Sequence, residues 1–210
     1  MIKVLIADDH PIFRQGLKEI LRARAGVDVV GEAETGQKAL ELARKERWDA
    51  VVLDIAMPGI GGIEALRLLK QERPRLPVLV LTNHAEDQYG VRALRAGADG
   101  YLTKDKAPQE LLNALSRLLQ GGKYIGPTLA EELAAKLSGA GRRSPHEILS
   151  DREYDIMRRI ALGKPLFRIA RELGLSPRTV STYRARLLRK MQMKTNTDLI
   201  RYALEKKLIG

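Results

Sequence analysis

The 210-residue sequence contains no cysteine, three histidines and few aromatic residues, and it has no long apolar run. Without thiols the chain cannot form disulfides, zinc–thiolate sites or a cysteine nucleophile. Its apolar segments are shorter than the roughly 18 residues needed to span a bilayer, and its N-terminus lacks the basic and apolar regions of a signal peptide. We therefore expect a cytoplasmic protein that does not associate with a membrane.

The excess of positive charge is concentrated near the C-terminus. The formal net charge is +11, from 37 basic and 26 acidic residues. Residues 1–140 contain 20 basic and 19 acidic residues, a net of +1, so residues 141–210 contain the other 17 and 7, a net of +10. Such a basic segment favours a polyanionic partner, and a merely soluble surface is the alternative.

Two patterns of secondary structure divide the chain. Up to residue 122, short apolar runs alternate with amphipathic segments, which predicts an α/β domain with a parallel sheet covered on both faces. The strand candidates are 2–7, 27–31, 50–54, 77–82 and 99–103, and the helix candidates are 11–24, 36–46, 61–72, 86–96 and 107–120. We predict that residues 123–147 form a linker with a short helix near 128–138, and that an all-α domain covers residues 148–210.

Acidic side chains stand at the ends of the first and third strand candidates, namely Asp8, Asp9 and Asp54. The carboxyl ends of parallel strands meet at one edge of an open sheet, where ligands bind. Three carboxylates at one place need a cation to stay ionised together, and Mg²⁺ prefers oxygen ligands. We therefore predict a Mg²⁺ site in which Asp54 is the nucleophile that accepts a phosphoryl group. A transition-metal site that uses His10 is the less favoured alternative.

Two further polar residues, Thr82 and Lys104, end or follow the fourth and fifth strand candidates. Their hydroxyl and ammonium groups can hold phosphoryl oxygens. Together with Asp8-Asp9, Asp54, Met57-Pro58-Gly59 and Tyr101-Leu102-Thr103-Lys104, they give residues 1–122 a pattern that resembles the receiver domain of bacterial two-component response regulators.

The resemblance to receiver domains implies a flavodoxin-like, doubly wound sheet of five parallel strands in the order 2-1-3-4-5. It implies that Asp54 is the phosphoacceptor and that Mg²⁺ is bound by Asp9, Asp54 and the backbone carbonyl of Ala56, with Asp8 near the ion. It also implies that two residues reorient on phosphorylation. In this sequence they are Thr82 and Tyr101, and we expect Tyr101 to be a half-buried strand residue.

The C-terminal segment predicts four helices, at 150–162, 166–173, 177–191 and 196–206. Gly174 separates the second helix from the third, and Ser176 and Pro177 begin the third, which is the pattern of a helix-turn-helix. Polar side chains on the third helix can read base edges or contact phosphates. The candidate DNA contacts are Arg178, Thr179, Ser181, Thr182, Tyr183, Arg184, Arg186 and Lys190.

Three motifs in this segment carry a second resemblance: Leu149-Ser150-x-Arg152-Glu153, Ile169-Ala170-x-x-Leu173-x-Leu175-Ser176-x-x-Thr179-Val180, and Arg186-x-x-x-Lys190-Met191. Residues 148–209 resemble the LuxR-type output domain of NarL/FixJ-like regulators. The family more often has Lys and His where this chain has Ser181 and Tyr183, which affects the expected base contacts. The helix at 196–206 resembles the family's dimerisation helix.

The two resemblances imply a phosphorylation-dependent transcription regulator. A sensor histidine kinase would phosphorylate Asp54, and a homodimer would then bind paired DNA half-sites with recognition helices about 34 Å apart. We predict no enzymatic turnover, because Ala56 stands where aspartyl-phosphate hydrolases commonly carry a second Asp. The alternatives are a Mg²⁺-dependent hydrolase of that kind and a phosphorylation-independent DNA-binding protein with a vestigial receiver domain.

Overall fold

A five-stranded parallel sheet forms the centre of the first of two compact units, Met1–Leu137 and Ser138–Gly210. The computed structural model describes residues 2–22, 27–84, 86–137 and 144–209. The predicted strand order is confirmed, since the sheet runs β2-β1-β3-β4-β5. The strands are β1 (Ile2–Ala7), β2 (Val27–Ala33), β3 (Ala50–Leu53), β4 (Val78–Thr82) and β5 (Gly100–Thr103). All residues of β3 and β4 are buried, as their unbroken apolar runs predict.

Helices cover both faces of this sheet. They are α1 (Pro11–Arg22), α2 (Gly36–Lys45), α3 (Gly62–Glu72), α4 (Glu86–Arg95) and α5 (Ala107–Leu119). Helices α1 and α5 pack against each other, and α3 packs between α2 and α4. The helices predicted from the sequence are therefore present, with ends that differ by one or two residues; the last two residues of the predicted 11–24 helix lie outside the described part of the chain.

A sixth helix, α6 (Pro127–Leu137), packs against α4 within the first unit. The segment before it pairs with the outer edge of β5, where Tyr101 N donates to the Tyr124 carbonyl at 2.9 Å. The sequence predicted a linker beginning at residue 123, but residues 123–137 are part of the folded first unit because the Leu129 side chain is fully buried. Residues 138–143 of the predicted linker lie outside the described residues.

The second unit contains a short 3₁₀ turn (Pro145–Ile148) and four helices, α7 (Asp151–Ala161), α8 (Leu166–Leu173), α9 (Pro177–Lys190) and α10 (Asn196–Glu205). The predicted four-helix arrangement is confirmed. Ser150 and Glu153 form a capping box at the start of α7, and Gly174 ends α8 with φ 63°, a left-handed conformation that glycine adopts without strain. No helix in the described ranges is long and apolar enough to cross a membrane.

Candidate functional site

Two buried carboxylates meet at the carboxyl end of the sheet. Asp54 follows β3 and Asp8 follows β1, and each residue is only 2% exposed. The backbone holds them together, because Asp54 N donates to the Ala7 carbonyl at 2.8 Å. The Ala56 N–H donates to Asp54 Oδ1 at 2.9 Å, which fixes the carboxylate orientation. The adjacency of β1 and β3 therefore places side chains together that are 46 residues apart in sequence.

Lys104 bridges the two carboxylates. Its Nζ lies 2.5 Å from Asp8 Oδ2 and 2.7 Å from Asp54 Oδ2. Its backbone N–H donates to the Thr82 carbonyl at 2.9 Å, which anchors the residue to the end of β4. The Phe13 ring, which the sequence did not indicate, lies with its centroid 4.6 Å from Nζ, within the range of a cation–π contact.

Burial and the close ammonium act in opposite directions on these groups. Burial raises the pKa of the Asp54 carboxyl above its usual value, and the Lys104 ammonium only partly offsets this. Burial works against the charge of Lys104, but the carboxylates of Asp54 and Asp8 outweigh it and raise the Lys104 pKa. Because Asp9 adds a third carboxylate against one ammonium, the cluster has an excess of negative charge that a divalent cation would neutralise.

The donor atoms of this cluster fit a hard cation. Asp8, Asp9, His10 and Asp54 each offer a ligand atom, and these atoms all lie within 4.8 Å of one another. Asp9 Oδ1 is buried and accepts no hydrogen bond from any described residue, although His10 Nδ1 is 2.8 Å away. Mg²⁺ prefers oxygen ligands, and this cluster offers three carboxylates, one of which has a buried oxygen without a hydrogen-bond donor among the described residues. The cluster can therefore hold a metal ion.

The two predicted switch residues occupy neighbouring strands. Thr82 ends β4 and is fully buried, and its Oγ1 accepts a long hydrogen bond of 3.5 Å from His84 N. The expectation that Tyr101 is half-buried was wrong, since its side chain is fully buried and its hydroxyl donates to the His84 carbonyl at 2.9 Å. The reason is that α4 packs over β5 while the segment around Tyr124 pairs with the outer edge of that strand.

Helix α9 presents a polar stripe to solvent. Arg178, Ser181, Thr182 and Arg186 are exposed and recur at helical spacing, whereas Val180 faces the core. Ala185 and Arg189 are also exposed on the same helix. A stripe of small polar and arginine side chains is the surface with which a helix enters the major groove.

The other predicted contacts on α9 are more engaged with the protein. Thr179 and Tyr183 are half-buried, and the Thr179 hydroxyl bonds with the Ser176 hydroxyl at the start of the helix. Arg184 Nε donates to Asn196 Oδ1 at 2.7 Å, which holds the guanidinium against the first residue of α10. This contact was not predictable from the sequence, because it depends on how α10 packs beside α9.

Lys190 pairs with a buried acid. Its Nζ lies 2.6 Å from Glu153 Oε2, and Glu153 is almost fully buried at the start of α7. Burial by itself would raise the Glu153 pKa, but the hydrogen bonds from Lys190 and Ser150 outweigh it and lower the pKa. Lys190 thus joins the end of α9 to α7 through its side chain.

Comparisons with known proteins agree with both halves of this description. Residues 4–116 match the family described as response regulator receiver domain, and residues 147–203 match bacterial regulatory proteins, luxR family. The response regulator GacA of Pseudomonas aeruginosa is 40% identical over 200 residues, which is 95% of this chain and 94% of GacA.

Solved structures of RcsB are also similar. RcsB from Salmonella enterica serovar Typhimurium, bound to promoter rprA in the presence of the phosphomimetic BeF3−, has a TM-score of 0.65 at 28% identity and covers 96% of this chain and 97% of its own. A structure of two RcsB dimers bound to two parallel DNAs has a TM-score of 0.60 at 29% identity and covers 98% of both chains. The chain belongs to the response regulators that join a receiver domain to a luxR-type helix-turn-helix domain, and it is a phosphorylation-dependent, DNA-binding regulator of transcription in a two-component system.

Proposed function

We propose that Asp54 accepts a phosphoryl group from a sensor histidine kinase. The observation that carries the proposal is the buried Asp54 carboxylate, held by the Ala56 N–H and lying 2.7 Å from Lys104 Nζ. In the transfer, a bond forms between phosphorus and an Asp54 oxygen as the phosphorus–nitrogen bond of the phosphohistidine breaks. Lys104 would supply a fixed positive charge for the phosphoryl oxygens, and the Thr82 hydroxyl, at the end of the adjacent strand, would donate to one of them.

We propose Mg²⁺ as the cofactor of this site. The ligands are Asp9, Asp54 and the backbone carbonyl of Ala56, with Asp8 close to the ion. Support comes from the three clustered carboxylates and the unsatisfied Asp9 oxygen. When bound, the ion neutralises charge on the incoming phosphoryl group. The His10 imidazole is close to the same atoms, but a site dominated by carboxylate oxygens favours Mg²⁺ over a transition metal.

The site serves as a switch and not as a turnover enzyme. Hydrolysis of the aspartyl phosphate needs a water molecule positioned and deprotonated beside phosphorus. Ala56, two residues after Asp54, carries only a methyl group, which can neither position nor deprotonate a water molecule. We therefore propose a slowly hydrolysed phosphoprotein, which a phosphoprotein lifetime of seconds would contradict. Steady turnover of small phosphomonoesters would instead favour the hydrolase alternative.

On the DNA side, we propose that the exposed stripe of α9 enters the major groove. Arg178, Ser181, Thr182 and Arg186 are the foremost contacts, with Thr179 and Tyr183 at its margin. Arg184 and Lys190 stay among the candidates, and their partners Asn196 and Glu153 favour roles at the phosphate backbone or in domain stability.

A homodimer is the proposed DNA-binding form. On α10, Leu199 and Ala203 are buried in the core of the second unit, while Leu204 is 58% exposed and lies on a face open to a second copy. Dimers of the related RcsB bind DNA. Two copies would place two α9 helices in successive major grooves, so the target would contain paired half-sites about 34 Å apart. We also propose that the protein is cytoplasmic, since its proposed DNA target lies there.

The test combines Asp54→Asn with genomic footprinting. Wild-type protein treated with acetyl phosphate and Mg²⁺ should gain the mass of one phosphoryl group and protect paired half-sites more strongly than untreated protein. Asp54→Asn should show neither change. Asp49→Asn is the matched control, because Asp49 is exposed and its carboxylate accepts from Lys3 N away from the site. Footprints that change with neither the phosphodonor nor the Asp54 substitution would favour the alternative of a vestigial receiver domain.

A further inference from the structure

Helix α6 and the segment before it occupy a surface that glycines leave open. A Cβ on Gly90, inside α4, would lie 2.7 Å from Leu129 Cδ1. A Cβ on Gly100, at the start of β5, would lie 2.8 Å from Leu79 Cδ1 on the neighbouring strand and 3.0 Å from the Tyr124 carbonyl oxygen. The Gly90 distance is shorter than real Cβ contacts, and the Gly100 distance to Tyr124 is tighter than nearly all of them. Glycine weakens helices and strands, so its presence at both positions fits a requirement for close approach.

A carboxylate from α4 caps the start of α6. Glu86 is buried, and its Oε2 accepts from Leu129 N at 3.2 Å, one of the amides in the first turn of α6 that have no partner within their own helix. Gly126 lies against the same carboxylate, where any Cβ would collide with it. An acid at a helix N-terminus is also favoured by the helix dipole. The position of α6 thus depends on where α4 begins.

Tyr101 is joined to this docking surface by two routes. Its hydroxyl donates to the His84 carbonyl, and His84 is two residues before Glu86 in the segment that leads into α4. Its backbone N–H donates to the Tyr124 carbonyl at 2.9 Å, three residues before α6 begins. Any movement of Tyr101 out of its buried position would remove the first of these hydrogen bonds.

We infer that α6 is a phosphorylation-coupled element: phosphorylation at Asp54 favours the buried position of Tyr101, and because the buried position of Tyr101 and the docked position of α6 stabilise each other, phosphorylation strengthens α6 docking. The inference rests on the proposed role of Asp54 and adds α6 to the structural elements that respond to it. Coupling between two sites is reciprocal, so weaker docking of α6 must weaken binding at Asp54 by the same factor. A helix that merely braces the fold would show no such reciprocity.

The first test needs no phosphodonor. Amide hydrogen exchange of full-length Tyr101→Phe should show faster exchange over α6 than wild type, by about fivefold or more, because the hydroxyl bond to His84 is lost. Helix α2, which lies beside α3 and away from α6, is the internal reference for general destabilisation. Unchanged α6 exchange, or equal changes in α2 and α6, would overturn the coupling.

The second test measures reciprocity. Leu129→Ala removes the buried anchor of α6, and Glu131→Ala is the control, since Glu131 is exposed on the same helix. The apparent affinity for beryllofluoride with Mg²⁺ should fall about 5- to 150-fold in Leu129→Ala and stay at the wild-type value in Glu131→Ala. Equal affinities in both would refute the inference. A wild-type protein that fails to bind beryllofluoride through Asp54 would instead refute the proposed function, and the Tyr101→Phe exchange would still decide the coupling.

Discussion

Substituting Glu153 with glutamine tests whether one buried carboxylate holds the DNA-binding unit together. Its Oε2 accepts from Ser150 N at 2.8 Å and from Lys190 Nζ at 2.6 Å. The same side chain therefore completes the capping box of α7 and ties α7 to the end of α9. Glutamine preserves the shape and one acceptor oxygen but removes the negative charge.

The expected loss follows from the change in hydrogen-bond type. A hydrogen bond to a charged group contributes about 1.5–3 kcal/mol and a neutral one about 0.5–1.5 kcal/mol, so Glu153→Gln should cost about 1–2 kcal/mol. The Lys190 side chain is 42% exposed, so water can replace part of its interaction with the lost carboxylate, which keeps the loss of stability within this range. In a domain of this size the melting temperature should fall by about 4–16 °C.

Thermal unfolding of the full chain can separate the two units. The single tryptophan, Trp48, lies in the first unit and its fluorescence should be unaffected, while circular dichroism should show the earlier melting of the helical second unit. Glu205→Gln is the control, because Glu205 is exposed on α10 and should change stability by less than about 0.5 kcal/mol. A Glu153→Gln protein as stable as this control would refute the reasoning.

The same substitution has a defined pH dependence. The folded state lowers the Glu153 pKa below its ordinary value of 4.5, so the unfolded chain binds the proton more tightly. The stabilisation is therefore fully present above pH 4.5 and is lost as pH falls through the lower folded pKa. Wild type and Glu153→Gln should differ at neutral pH and converge in acid; a gap that widens below pH 4.5 would show that another group is responsible.

Three further predictions address the site, the DNA face and the α6 segment. In Gly62→Ala, the new Cβ would collide with Ile55 Cα and the Asp54 carbonyl, which would displace the Asp54 backbone. The rate of Asp54 phosphorylation, measured as the gain in intact protein mass, should fall about 100-fold, and a wild-type rate would contradict this. Arg178→Ala should lower the slope of log affinity against log salt by about 1, whereas Arg171→Ala, on α8, should leave it unchanged. Burial and the Glu110 carboxylate raise the pKa of Tyr124 to about 12. The contribution of the neutral Tyr124 phenol to folding stability should therefore be present below pH 10 and be lost towards pH 12. An alkaline ultraviolet titration should show this late-titrating phenol in wild type and not in Tyr124→Phe.

The clustering of the acidic residues was predictable because each of them follows a strand that the apolar pattern marks, and the strand order brings those strand ends together. Asp8 and Asp54 each follow an unbroken apolar run, and such runs mark buried parallel strands whose carboxyl ends form one edge. The pairing of β1 with β3 then brings the two acids together without any further signal. Phe13 was not predictable in the same way, because its contact with Lys104 depends on the orientation of α1 on the sheet.

The docking of α6 was missed because its signal lies elsewhere in the chain. Residues 128–138 look like a short, weakly amphipathic helix within a linker, and one buried leucine, Leu129, does not mark a core element by itself. The information is in the receiving surface, where Gly90 interrupts α4 and Gly100 begins β5. A glycine inside a helix pattern costs stability, and it becomes meaningful only when the partner that needs the space is known.

The arginines of α9 show how far residue type can predict a contact. Arg178, Arg184 and Arg186 are chemically identical and lie within nine residues, and the sequence assigned all three to DNA. Two are open to solvent, whereas the third is bonded to Asn196, which reaches it from α10. Its five donors exceed what one amide oxygen can accept, so Arg184 can still donate to a phosphate while its orientation is fixed by Asn196. We therefore propose a division of roles on one helix, in which the two exposed arginines adapt to the DNA and Arg184, whose orientation is fixed, sets the register of α9 on the backbone.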